Sequence, residues 1–322
     1  MENELVKKAG YPLSQIDVEG FKTSLSFKNL KPLTKFILST IKMKGIIRKF
    51  GADIVIGTGG YVCAPAVAAA NIMKIPTLIH EQNVYPGSAI RFLAKNTTVT
   101  AISFDESRKY FKDAKNIVLT GNPVRASIIK ADAKKAKERL NPGGKKLVLV
   151  VGGSLGAMKI NDVVCDYIKS FRKQNVKFII STGKRDYGRV KEMLGGKDKG
   201  ENFEIFAYIH DMDAYLAASD LVICRSGAIT LSEICILKKA SILIPSPNVT
   251  HNHQEFNASA LVKNGAAVMI KESNFDTSEL KKAVDLLLDN NALRKQYGEN
   301  AYKMAKKDAT KLICESILKF AK

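Results

Sequence analysis

Residues 220–239 read "DLVICRSGAITLSEICILKK". Leu221 to Cys224 form an unbroken apolar run, as expected of a strand buried on both faces. Arg225, Ser226 and Gly227 make a tight turn, and an apolar-periodic helix follows with Glu233 in its first turn or two. A helix that starts directly after a buried strand presents free N–H groups and the positive end of its dipole, which together favour a phosphate. A carboxylate in that helix would repel a phosphate, so Glu233 must serve some other part of a ligand or only the helix itself.

The same strand-then-helix unit recurs along the chain. Candidate strands are "ADIVIG" (52–57), "PTLIH" (76–80), "TVTAI" (98–102) and "NIVLTG" (116–121). A polar, lysine-rich connector at 130–145 separates them from "KLVLVVGG" (146–153), "VKFIIST" (176–182), "NFEIFAY" (202–208), "DLVIC" (220–224), "SILIP" (241–245) and "AAVMI" (266–270). Val, Ile and Leu without polar alternation predict parallel sheets covered by helices, and the two halves predict two doubly wound domains closed by a helical tail over 278–322. Each half has a glycine-rich strand-to-helix turn, "GTGGYVCAPAV" (57–67) and "GGSLGAMKIN" (152–161). Neither is a clean G-x-G-x-x-G, and glycine also serves simple helix-on-strand packing. Ligands bind outside the carboxyl ends of parallel strands, so two such turns place two sets of ends on one cleft.

The 322 residues are 46% apolar, enough for two cored domains. Lys and Arg outnumber Asp and Glu by 51 to 31, a net +20. That charge fits nucleic acid, an anionic membrane surface, a phosphorylated substrate or a lysine-rich solvated face. Trp is absent, aromatics are 7%, and no stretch interleaves aromatic with basic residues, so no nucleic-acid partner is expected. Cys63, Cys165, Cys224, Cys235 and Cys314 form no C-x-x-C pair and read as reduced core residues of a cytoplasmic protein. The opening "MENELVKKAG" has acids where a secretory leader has bases, and no apolar run reaches the roughly 18 residues of a membrane span. "DMD" at Asp211 and Asp213 has the form of a metal-binding D-x-D, but it opens a helix, so capping is the expectation. His251 and His253 form an H-x-H with no evident third ligand, and no metal is assigned.

"GTGGYVCAP", "HEQN" (80–83), "GNPVR" (121–125), "VVGGSLGA", "CRSGAITLSE" and "HNHQEFNA" (251–258) occur in this order. Together they resemble the MurG family of UDP-N-acetylglucosamine transferases, and the resemblance runs over essentially the whole chain. It implies an α/β GT-B fold, two doubly wound Rossmann-like domains facing a cleft. Residues 1–125 would form the acceptor and membrane-side domain and 126–306 the UDP-GlcNAc-binding domain, with 307–322 packing back on the first. The implied reaction moves GlcNAc, with inversion, from UDP-GlcNAc to the MurNAc 4-hydroxyl of lipid I (undecaprenyl-diphosphate-MurNAc-pentapeptide). The product is lipid II, a peptidoglycan precursor. The enzyme would need no cofactor and would sit peripherally on the cytoplasmic face of the cell membrane, against anionic lipid.

The resemblance also maps site residues. Glu233 would accept from the ribose hydroxyls, while Ala228, Ile229, Thr230, Leu231 and Ser232 frame the phosphates and nucleoside. Asn83 and Arg125 match donor-site positions, Arg125 as a cation for the leaving diphosphate. Ser154 matches a nucleotide contact, Ile209 a residue beside the uracil, and Gln254 the reader of the sugar hydroxyls. Tyr61 and Glu81 fall on the acceptor side, Glu81 as a candidate for deprotonating the attacking hydroxyl, and His80 as structural. Each has a plainer reading: a helix cap for Ser154, a core side chain for Ile209, a surface ion pair for Arg125, and a buried Glu paired with Arg or Lys for Glu81.

The family begins with a strand, a loop of the form G-G-T-G-G-H and a helix, which "MENELVKKAG" does not match. The first domain is therefore expected to be N-terminally incomplete, with little transferase activity from Met1 onward while UDP binding persists. A second GT-B reading is another UDP-sugar transferase with a lipid acceptor, such as a diacylglycerol glucosyltransferase, and a third is a nucleotide-binding fragment. An oxidoreductase lacks support, because no turn gives G-x-G-x-x-G with an acid about 20 residues on. Finally, residues 30–50 carry Lys31, Lys35, Lys42, Lys44, Arg48 and Lys49 and no acid, with Phe36, Ile37, Leu38 and Ile41 between them. They predict a basic amphipathic helix, suited either to an anionic leaflet or to covering a sheet.

Overall fold

The computed structural model describes residues 2–20, 30–141, 143–153 and 156–320, without the side chains of 2–4. Two parallel sheets are built from ten strands, one at each place where an apolar run occurs. The first holds β1 (Val55–Gly57), β2 (Thr77–Glu81), β3 (Val99–Ile102) and β4 (Ile117–Leu119) in that spatial order. The second holds β5 (Lys146–Val151), β6 (Val176–Ser181), β7 (Phe203–Phe206), β8 (Leu221–Cys224), β9 (Ala240–Leu243) and β10 (Val268–Met269), in the order β10-β9-β8-β5-β6-β7. Strand order reverses between β5 and β8, whose last paired residues are Val151 and Cys224. In such a sheet the ligand crevice opens at this reversal, beyond the carboxyl ends of the strands. Both strand-to-helix connections of the second half, which begin at Gly152 and Arg225, leave the sheet there.

Each face of the second sheet has its own core, which is why its strands show no polar alternation. Val148 and Val150 of β5 pack on one side with Phe178, Ile160 and Leu280. Leu147 and Leu149 pack on the other with Leu231, Ile234 and Leu261. The first sheet is thinner. Ile79 and Ile102 meet Val67 of the Ala64–Ile72 helix and Leu93. Leu78, Val99 and Ala101 on the reverse face are covered by Ile317 and Phe320 from the end of the chain. β1 stands at the sheet edge with Ile56 exposed.

The chain thus passes from the first sheet to the second after β4 and returns before the Ala309–Leu318 helix. The two crossings touch. Gly121 adopts φ +79°, and a Cβ there would lie 2.3 Å from Cβ of Lys306. Only glycine allows the two passages to lie so close.

The basic segment is a helix, Leu30–Phe50. It buries Ile47 and packs Phe36 and Met43 on the first domain, leaving Leu33, Ile37, Leu38 and Ile41 exposed. Its lack of acids is made up from outside the helix. Lys31 pairs with Glu19 at 3.3 Å, and Lys35 with Asp17 at 2.9 Å and Glu19 at 2.7 Å. The Asp211 expectation is corrected in part: it occupies the N-cap position of Met212–Ala218, but its carboxylate makes no cap bond and pairs with Arg139 instead. Of the cysteines, Cys165, Cys224 and Cys235 are buried, whereas Cys314 is exposed.

Lys239 is a buried cation whose Nζ donates to the carbonyls of Ala217 at 2.6 Å and Ser219 at 2.9 Å, closing the end of the Met212–Ala218 helix. Burial lowers its pKa from 10.5 to about 8. Between those values the unfolded chain holds the extra proton, so the contribution of Lys239 to stability rises with pH through that window. Urea midpoints measured for the parent and Lys239→Met across this range should show the parent gaining relative to the variant as pH rises.

Candidate active site

β8 delivers the chain to a turn fixed by two side chains. Arg225 Nη1 donates to the carbonyls of Ile244 at 3.1 Å and Pro245 at 3.2 Å, and the guanidinium pairs with Glu272. Gln254 Oε1 accepts from the N–H groups of Ser226 at 3.2 Å and Ser246 at 2.9 Å. This fixes which way the amide faces: the oxygen is committed to backbone, and the NH2 end is the part offered to a ligand. The helix Ala228–Ile236 follows, its first i to i−4 bond running from Leu231 N–H to Gly227 C=O at 3.0 Å. The N–H groups before Leu231 have no acceptor within the helix.

The other glycine turn lies opposite. Gly156 adopts φ +81°, and a Cβ there would meet Thr182 O at 2.4 Å. A Cβ on Gly152 would meet Ala157 N at 2.5 Å. Between the two turns is a cavity of about 640 Å³ whose lining includes Gly153, Lys159, Arg225, Thr230, Asn248 and Gln254. Its size is that of a small-molecule site.

Glu233 lies one helical turn beyond Thr230 on the same face. It is 8% exposed, and burial pushes its carboxyl above the usual carboxylate range, with Arg125 pulling the other way. Arg125 Nη2 reaches Glu233 Oε1 at 3.3 Å from the segment after β4, whose Val124 and Ile128 pack in the same core as Leu231. The cation expected to neutralise a diphosphate is thus engaged with the carboxylate expected to hold a ribose.

The remaining expected residues divide. Ile229 is exposed and Thr230 lines the cavity, but Leu231 is fully buried and Ile209 is 3% exposed, both within the core. Their side chains are packing residues, so any ligand contact at 209 or 231 falls to the backbone. Ala228 is buried beside them. Ser232 does not face the phosphate position: its hydroxyl donates to Ala228 O at 2.9 Å and accepts from Asn122 Nδ2 at 3.1 Å. Ser154 lies outside the described residues. Tyr61 is half exposed on the turn after β1 and packs on the backbone at Gly20.

Glu81 is corrected. It is 3% exposed, with no Arg or Lys partner among the described residues. Oε1 accepts from Asn83 N at 2.9 Å and Asn83 Nδ2 at 3.2 Å, and Oε2 from Gly87 N at 3.0 Å. Both oxygens accept bonds that shape the 82–87 loop, so the partners of this buried carboxylate are N–H groups of that loop and not an Arg or Lys. His80 is structural: Nε2 donates to Gly121 O at 3.0 Å, and burial lowers its pKa. His251 bonds Ser88 Oγ at 3.0 Å and His253 Nδ1 donates to Thr250 O at 2.8 Å, so the H-x-H pair does two separate jobs. Among the described residues no group of three His, Cys, Asp or Glu is placed to hold a metal ion.

Asn122 and Asn257 were not expected as site residues. Both bridge the cleft, and Tyr85 stacks across it on Phe256 with centroids 4.9 Å apart. The one sequence signal for Asn257 is its place three residues after Gln254, on the same face of the His253–Lys263 helix.

Residues 147–313 match the glycosyltransferase family 28 C-terminal domain, and residues 1–102 the corresponding N-terminal domain. A UDP-N-acetylglucosamine--N-acetylmuramyl-(pentapeptide) pyrophosphoryl-undecaprenol N-acetylglucosamine transferase of Thermoanaerobacter sp. (strain X514) is 42% identical over 320 residues, covering 98% of this chain and 88% of the relative. The transferase of the same name from Listeria monocytogenes is 40% identical over 323 residues, covering 100% and 89%. The crystal structure of Acinetobacter baumannii MurG superposes with a TM-score of 0.81 at 27% identity, covering 99% of this chain and 88% of that one.

Because Arg125 opposes the upward push of burial on Glu233, Arg125→Gln should raise the pKa of Glu233 further. Carboxyl carbon NMR of the ligand-free chain reads this directly. An unmoved titration would mean that the ion pair is not held in solution.

Proposed function

The chain belongs to the MurG transferases of glycosyltransferase family 28, and from that premise we propose that it moves GlcNAc from UDP-GlcNAc to the MurNAc 4-hydroxyl of lipid I, forming lipid II. The observation that carries this reading is a buried carboxylate one turn below the free N-terminus of a helix, beside a cavity of about 640 Å³. The open N–H groups take the diphosphate, and Glu233 accepts from the vicinal ribose hydroxyls, so the ligand's own geometry separates the two like charges. Gln254, its oxygen already committed, donates from its NH2 end to a sugar hydroxyl. Asn83 faces the donor from the first domain. The acceptor hydroxyl attacks the anomeric carbon from the face opposite UDP and gives up its proton to solvent, the C–O bond to diphosphate breaks with its electron pair leaving on UDP, and the centre inverts in one step. The charge arriving on UDP is met by the helix N-terminus and by Arg125, which is 55% exposed and free to swing from Glu233.

Titration with UDP-GlcNAc and UDP-glucose, together with transfer to lipid I read as lipid II, tests the assignment. Preference for UDP-glucose, or transfer to diacylglycerol, would overturn it. Glu233→Ala should weaken UDP binding by about 1.5–3 kcal/mol, the usual range for hydrogen bonds to a charged group. Equal affinity in variant and parent would remove Glu233 from the ribose.

The same reading places the chain peripherally on the cytoplasmic face of the membrane. No helix among the described residues is long and apolar enough to cross a bilayer. The outer side of Leu30–Phe50 carries exposed Leu33, Ile37, Leu38 and Ile41, with Lys42, Arg48 and Lys49 also exposed. Such a surface inserts apolar side chains at the headgroup boundary, and each cation near the surface adds about 1 kcal/mol. Lys31 and Lys35, already paired with acids, contribute less. Co-sedimentation should therefore require anionic vesicles, weaken with salt, and fall with Ile37→Ser/Ile41→Ser or with Lys42→Glu/Lys49→Glu.

A further inference from the structure

Beside the apolar contact of Val84 and Phe104 with the second domain's core, the two domains meet through polar groups, and among these Asn257 uses both of its N–H donors and its oxygen. It is fully buried. Its Oδ1 accepts from Val84 N–H at 2.9 Å, and its Nδ2 donates to Asn83 Oδ1 at 3.0 Å and to Ser226 O at 3.1 Å. One side chain of the second domain thus holds the 82–87 loop of the first and the turn that starts the Ala228–Ile236 helix. Asn83 is gripped from both ends: Glu81 Oε1 accepts from its Nδ2 at 3.2 Å, and Asn257 donates to its Oδ1. A flipped Asn83 amide would set its oxygen against the Glu81 carboxylate and its NH2 against the NH2 of Asn257. That flip loses two hydrogen bonds and creates two repulsive contacts in a buried site. The pair therefore admits one orientation, in which one N–H of Asn83 and one lone pair remain to be used.

We propose that Asn257 is a positioning residue for recognition of the donor sugar. It acts through Asn83, fixing which amide atoms face the cleft and at what distance from the nucleotide turn. The inference rests on the reading that Asn83 contacts the donor, and it adds that sugar recognition is set by a residue that never touches the sugar. It also predicts a signature that a merely structural role would not give. UDP sits on the second domain, so it needs only the turn and helix; UDP-GlcNAc also needs Asn83 correctly turned.

The test is paired titration of the full chain with UDP and with UDP-GlcNAc, in the parent, Asn83→Ala, Asn257→Asp and the double variant. Asn257→Asp keeps the shape and the acceptor for Val84 but replaces the donor to Asn83 with an oxygen. It should weaken UDP-GlcNAc about tenfold more than UDP, and the double variant should be no worse in that ratio than Asn83→Ala alone. If Asn257→Asp melts early, Asn257→Ser, too short to reach Asn83, should give the same ratio. Equal weakening of both ligands, or additive losses in the double variant, would overturn the proposal. If Asn83→Ala leaves the ratio untouched, the donor-site reading of Asn83 falls instead, and the two failures are told apart.

Discussion

A carboxylate buried in the second turn of a helix has to be compensated, and Glu233 is compensated by Arg125, from the segment that follows the first sheet. Burial pushes its pKa up, and Arg125 opposes that push. The ion pair therefore does two things at once. It favours the charged form of Glu233, and it ties the Ala228–Ile236 helix to the chain that leaves β4. The free N–H groups, the cavity and the committed amide of Gln254 lie on the second domain alone.

The rest of the seam follows the same chemistry. Asn257 with Asn83 and Val84, Asn122 with Ser232, and Ser88 with His251 are hydrogen bonds, with Tyr85 on Phe256 the one stacked pair among them. These polar contacts exchange their partners for water at little net cost, whereas Val84 and Phe104, packed in the second domain's core, lose buried area if the seam opens. Directional groups also close to one register, because each donor has to find its own acceptor.

The strands were legible because burial on both faces leaves an unbroken apolar run, and all ten appear where such runs occur. The helix start after β8 was legible for a related reason: Gly227, Glu233 and Gln254 declare a turn, a carboxylate and an amide by residue type. Residue type does not declare partners. Leu231 and Ser232 follow Thr230 in sequence, yet 100° per residue turns Leu231 into the core and Ser232 toward Asn122. Glu81 reads as a carboxylate paired with Arg or Lys, whereas backbone N–H groups only two and six residues on are its partners. Asn257 lies 174 residues from Asn83, and no local pattern links them.

The contact between Gly121 and Lys306 bears on how the cleft can open. Two passages of chain join the domains, and they lie against each other with no room for a side chain between them. Were they far apart, each would restrain the other and the domains would be clamped. Were there one alone, the domains could twist and splay in any direction. Two adjacent pivots behave as a single short hinge pin: they leave rotation about one line and resist shear along the cleft. An arc about a fixed line returns Arg125 to Glu233 and Asn257 to Asn83 on every closure, so the pin supplies alignment that hydrogen bonds, with their short reach, can only finish.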